Sequence, residues 1–133
     1  MELRLAEAYD GTPACIGVAR RTVKAFLALV ATEHLAVVPP PTVGRAQLVV
    51  SELVTNAVRH SDGGCGLDLV CRAGRLEITV WDASTEAATV RAPDPARVGG
   101  HGLEIVQAIC GPVRVTALPD GKRIHVRMPA FER

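Results

Sequence analysis

A chain of 133 residues suits one compact domain, long enough to bury a core without metal or disulfide staples. Hydrophobic residues at 48% and charged residues at 22% exclude a disordered chain, and no repeat or low-complexity tract is present. A net charge of +1 with aromatic residues at 3% leaves neither the electrostatic footprint nor the stacking platform of a nucleic-acid binder.

Cys15, Cys65, Cys71 and Cys110 form no C-x-x-C pair, lack histidines at zinc spacing, and read as small buried residues. The N-terminus lacks the basic-then-apolar layout of a signal peptide, and the longest apolar run, 25–31, is far short of a bilayer span. The expectation is a cytoplasmic protein with reduced thiols, a single domain over 1–133, and no direct contact with membrane or nucleic acid.

In chain order, residues 2–8 suit a short edge strand, and Asp10-Gly11 a turn. Thr12-Pro13 reads as an N-cap followed by proline in the first turn, opening a helix to about His34 with Ile16, Val23, Phe26, Leu27 and Val30 toward the core. Pro39-Pro40-Pro41 ends any continuation, and Thr42 can cap a second helix to about His60. Segments 65–72 and 75–82 form a hairpin about Ala73-Gly74 and leave Asp82 at its far end. From Ser84 to Gly99 there is no usable periodicity, which fits a surface loop placed to act as a lid or an insertion that is merely tolerated. Helix periodicity returns over 100–110 through Leu103, Val106 and Ile109, and Gly111-Pro112 stops it. A second hairpin fits 113–118 and 123–128, joined by Pro119-Asp120-Gly121. The pattern predicts an α+β two-layer sandwich, with helices on one face of a mixed, mostly antiparallel sheet.

The chemistry concentrates in Glu52-Leu-Val-Thr-Asn56-Ala-Val-Arg-His60. At roughly 100° per residue, Glu52 and Asn56 share one helix face with Arg45, Val49 and Arg59 or His60, while Val43, Val50, Val54 and Ala57 fall on the opposite, core-facing side. Taken alone, a Glu and an Asn four residues apart fit an ordinary solvated face, and a lone Gly-x-Gly fits many turns. Their order is more informative: carboxylate and amide on a helix, Asp82 at a strand end, then Gly99-Gly100-His101-Gly102 opening a helix. Backbone N–H groups freed at Gly100 and Gly102 suit phosphate, an Asn amide oxygen suits Mg2+, and Glu52 suits deprotonation of an attacking hydroxyl. A buried Asp82 that accepts a proton from an exocyclic amine would select adenine over guanine.

These motifs resemble the GHKL ATPase superfamily, whose architecture is the Bergerat fold. Glu52 and Asn56 match its N box, Asp82 its adenine-binding Asp, and Gly100-His101-Gly102 its later glycine box. The wording of 52–60, of Val80-Trp-Asp-Ala-Ser84, and of Gly99-Gly-His-Gly-Leu-Glu-Ile-Val106 looks most like the anti-sigma-factor serine kinases of bacterial partner switching. The resemblance implies a protein serine/threonine kinase that binds ATP and Mg2+, forms a homodimer, sequesters a sigma factor, and phosphorylates a STAS-domain anti-anti-sigma factor. It implies Glu52 as catalytic base, Asn56 as Mg2+ ligand, Asp82 on the adenine amine, and Gly100 and Gly102 at the phosphates. Arg97 is implied as a lid contact, an exposed loop arginine being the plain alternative, and His101 either touches phosphate or faces solvent. Trp81 alternates away from Asp82 on its strand and so belongs to packing.

Two positions depart from the family pattern. Ser84 stands where Asp-x-Gly has glycine, at the base-binding edge, and Gly121-Lys122-Arg123 lacks the threonine that usually helps hold the adenine end. Those departures motivate the alternative of a non-catalytic module that binds its partner and uses ATP structurally or not at all.

Overall fold

The computed structural model describes residues 1–60, 63–84 and 101–132. Its elements run β1 (Leu3–Tyr9), α1 (Ala14–His34), α2 (Pro40–His60), β2 (Cys65–Arg72), β3 (Arg75–Asp82), α3 (Gly102–Cys110), β4 (Arg114–Leu118) and β5 (Gly121–Pro129). The strands form one five-stranded sheet in the order β1-β2-β3-β5-β4. Every pairing among the described residues is antiparallel, so the sheet is not mixed. With the three helices packed against it, the architecture is the predicted α+β sandwich.

Alternation along the strands sends one set of side chains to the helices. Leu67, Leu69 and Cys71 of β2, Leu76, Ile78 and Val80 of β3, and Ile124, Val126 and Met128 of β5 are all buried. Against them α1 lays Ala19, Val23, Phe26, Leu27 and Val30. Helix α2 lays down Ala46, Val49, Val50, Leu53, Val54 and Ala57. Val49 is fully buried within the core cluster rather than beside the polar face. The opposite sheet face carries polar residues, with the His125 ring 2.9 Å from the Thr79 hydroxyl. Trp81 is on this face too: its indole lies over Gly66, where an added Cβ would collide with the ring.

Helix starts differ from the sequence expectation for local reasons. Thr12 does not cap α1; its backbone N–H and hydroxyl both donate to Asp10 Oδ1, at 2.9 and 2.8 Å, and Pro13 occupies the cap. The proline run does not hold off α2. Pro40 and Pro41 form its first turn, where a missing N–H costs no helical hydrogen bond, and Thr42 lies inside the helix. The second hairpin turns on two residues, Pro119 and Asp120, because Gly121 already pairs with Leu118. The expected lid falls at 85–100, outside the described residues.

The core packing predicts a sharp contrast along α2. Leu53→Ala, at a site with no exposure, is expected to lower unfolding free energy by about 2–5 kcal/mol in urea titrations. Leu48→Ala, at 42% exposure, is expected to change it by less than about 0.5 kcal/mol. Equal losses at the two positions would contradict the orientation of α2.

Candidate functional site

Because the apolar residues of α2 are committed to the core, Glu52 and Asn56 remain half-buried at its margin, one turn apart. The Glu52 carboxylate reaches α3: a Cβ built on Gly102 would lie 2.7 Å from Glu52 Oε2. Gly102 is the first residue of α3, so only a residue without a side chain lets the carboxylate sit this close to that helix N-terminus. A negative group is favoured there by the unpaired N–H groups and the helix dipole. Two motifs distant in the sequence are thereby joined in one contact.

Asn56 contributes a different feature. Its Oδ1 is buried and has no hydrogen-bond partner among the described residues. Buried carbonyl oxygens are nearly always satisfied, so this oxygen calls for a partner that the described residues do not supply. A hard cation takes oxygen donors of this type, and Asn56 fits that role. Among the described residues no three His, Cys, Asp or Glu side chains are grouped to hold a metal. A cation at Asn56 would therefore draw on phosphate and water oxygens.

Asp82, the third sequence-predicted position, stands at the end of β3. Tyr9, Cys65, Asp82 and Lys122 are successive cross-strand partners, aligned across β1, β2, β3 and β5. Asp82 is buried, and its Oδ1 accepts a 2.7 Å hydrogen bond from the backbone N–H of Ser84. Lys122 is equally buried, with Nζ 3.2 Å from Asp82 Oδ2 and 3.4 Å from Oδ1. This end of β3 lies beside Gly63, which precedes β2, since a Cβ on Gly63 would be 3.3 Å from the Ala83 Cβ. His101, the N-cap of α3, points its Nδ1 at Glu104 Oε2 3.1 Å away, along the first turn of the helix. Arg97 and Gly100 lie outside the described residues.

Lys122 is the residue that reading the sequence missed. The comparison had fallen on Arg123, but Arg123 pairs with Trp81 and is exposed on the other sheet face, so a threonine there would not face Asp82. The available signal was alternation: Lys122 is in phase with Ile124, Val126 and Met128, the apolar positions of its strand.

With this geometry in hand, the family model for the Histidine kinase-like ATPase domain matches residues 12–128. The chain belongs to that family. Several solved structures share the fold of this histidine kinase-like ATPase domain. One contains the RsbU and RsbW domains of Rv1364c from Mycobacterium tuberculosis, at 22% identity and a TM-score of 0.58, over 98% of this chain and 34% of that one. The histidine kinase AdeS of Acinetobacter baumannii matches at 16% identity and a TM-score of 0.54, over 95% of this chain and 68% of that one. The histidine kinase domain of the blue-light activated histidine kinase EL346 from Erythrobacter litoralis matches at 24% identity and a TM-score of 0.52, over 81% of this chain and 61% of that one. The chain thus spans about a third of the mycobacterial chain it resembles. No curated protein matches the sequence. Membership implies ATP binding. Among the described residues, no helix is long and apolar enough to cross a membrane.

Burial pushes the thiol of Cys65, beside Asp82, up to about 12, with Cys15 and the Asp82 charge adding to the effect. Burial also raises the Cys15 thiol. At pH 8 the native Cys65 thiolate fraction is then lower than in the unfolded chain by about 10³-fold. Alkylation of Cys65, followed by mass spectrometry of its peptide, is expected to be slower in the native protein by that factor. Equal rates in native and urea-unfolded protein would contradict this environment.

Proposed function

We propose that this histidine kinase-like ATPase domain is an ATP-dependent protein serine/threonine kinase of bacterial partner switching, with residues 1–133 acting as a single domain. In this reading it phosphorylates a serine or threonine of a STAS-domain anti-anti-sigma factor and sequesters a sigma factor, as a cytoplasmic protein paired with a second copy of itself. The observation that carries the reading is the seat of Glu52, whose carboxylate lies against Gly102 at the start of α3. A general base is useful only next to the phosphoryl group it serves, and a helix N-terminus is where a phosphate is held. The likeness of fold to a chain with an RsbW domain and to two histidine kinases supports a kinase-type use of the site.

Each residue then has a role. Glu52 accepts the proton of the substrate hydroxyl as its oxygen bonds to the γ-phosphorus, while the bond to the bridging β–γ oxygen breaks and ADP leaves. Asn56, with its otherwise unpartnered Oδ1, is the Mg2+ ligand. When bound, that ion neutralises charge on the β- and γ-phosphates. Gly100, His101 and Gly102 line the phosphates, Arg97 contacts them from the lid side, and Asp82 with Ser84 receives the adenine.

A non-catalytic, partner-binding module has one observation in its favour: the Asp82 carboxylate is already paired with Lys122. Capture of the sigma factor by an Asn56→Ala variant at wild-type strength, together with no phosphate transfer by the wild type, would put that module first.

The kinase reading makes a separable prediction. Glu52→Gln is expected to hold ATP affinity within about threefold while phosphate transfer to the STAS protein falls about 10²–10⁴-fold, read by phosphoprotein gel and mass spectrometry. Transfer at the wild-type rate would remove Glu52 from the mechanism.

A further inference from the structure

The Asp82–Lys122 pair is anomalous for a structural ion pair. It occupies a core-facing rung whose strand neighbours Val80 and Ile124 are apolar, and both side chains are almost fully buried, at 2% and 5% exposure. Removing both charges from water costs several kcal/mol per ion, and one contact between them compensates only in part. A well-packed apolar pair would serve stability as well or better.

The pair also has unused capacity. A carboxylate offers about four lone-pair directions; here Ser84 N–H takes one on Oδ1, and Lys122 approaches both oxygens. An ammonium has three donors, and Asp82 is the one side-chain partner of Lys122 among the described residues. Counted against the described residues, the pair keeps one acceptor and one donor in reserve, at the strand end where Ser84 follows Asp82. Adenine presents the complement along either polar edge: the 6-amino donor lies next to a ring-nitrogen acceptor, N1 on one edge and N7 on the other.

We propose that Lys122 is a base-contacting, specificity-determining residue, which donates a hydrogen bond to a purine ring nitrogen while Asp82 accepts from the neighbouring exocyclic amine. This rests on the reading of the site as a nucleotide site. It assigns to Lys122 the part that a threonine at 123 could not perform from the opposite sheet face. Guanine in the same pose presents its O6 acceptor to the Asp82 carboxylate, which itself only accepts, so the pair favours adenine.

The test titrates wild type and Lys122→Met with Mg-ATP, Mg-1-deaza-ATP, Mg-7-deaza-ATP and Mg-GTP by calorimetry. The expected result is that one deaza analogue binds wild type about tenfold more weakly than ATP, whereas Lys122→Met binds that analogue and ATP within about twofold. Mg-GTP is expected to bind wild type more weakly than Mg-ATP. Wild type that binds ATP and both analogues alike overturns the contact, and this arm needs no variant to fold. A deaza penalty unchanged in Lys122→Met also overturns it. Absence of any ATP binding by wild type would instead overturn the nucleotide reading, and the base contact with it.

Discussion

The fold depends on the burial of α2 from more than one side. Ala46, Val49, Val50, Leu53, Val54 and Ala57 are taken up by the sheet, α1 and α3, which leaves the helix no freedom to rotate about its axis. A 100° rotation would expose several of these side chains, at about 1.5–3 kcal/mol for each large one. Glu52 and Asn56 owe their positions to that constraint. They are half-buried because the core fixes the helix beneath them, and Glu52 meets Gly102 because α3 packs on the same helix. The geometry of the site is thus a by-product of apolar packing.

The sheet sets the Asp82–Lys122 pair by register. In an antiparallel ladder, cross-strand partners share a face, so the pairing of Asp82 with Lys122 follows from the register of β3 against β5. A slip of one residue would put Trp81 and Arg123 inward and send both charges out to solvent. Val80, Ile78 and Leu76, buried in the same phase, prevent that slip. The apolar pattern thereby holds an ion pair in place that apolar forces alone would not select.

Much of this was legible from the sequence. The hairpin about Ala73-Gly74 shows in its flanking alternation, and the structure gives positive φ to both turn residues, 51° and 76°. The helices show in their 3.6-residue periodicity, and Asp82 in its place at a strand end. What was not legible depends on tertiary contacts. Thr12 could have capped α1, but a carboxylate two residues earlier holds it. Three prolines read as a barrier because their role depends on whether a helix begins among them, and local chemistry permits both. Val49 falls at the polar margin by helical angle alone, because the sequence does not say how far the core extends around α2. Lys122 was visible in phase with apolar neighbours, yet a lysine there reads as exposed unless the strand register is known. The unpartnered Oδ1 of Asn56 is a property of surroundings that only coordinates supply.

The central claim is that Asp82, Asn56 and the Glu52–Gly102 contact belong to one Mg-ATP site. Its most direct test is calorimetric titration of ATP into the protein with and without Mg2+, and into an Asp82→Asn variant whose fold is checked by circular dichroism. The account predicts Mg2+-dependent binding near the micromolar range, about −8 kcal/mol, that the folded variant loses. Binding that is indifferent to Mg2+ and unchanged in the variant, or no detectable heat from wild type, would contradict it.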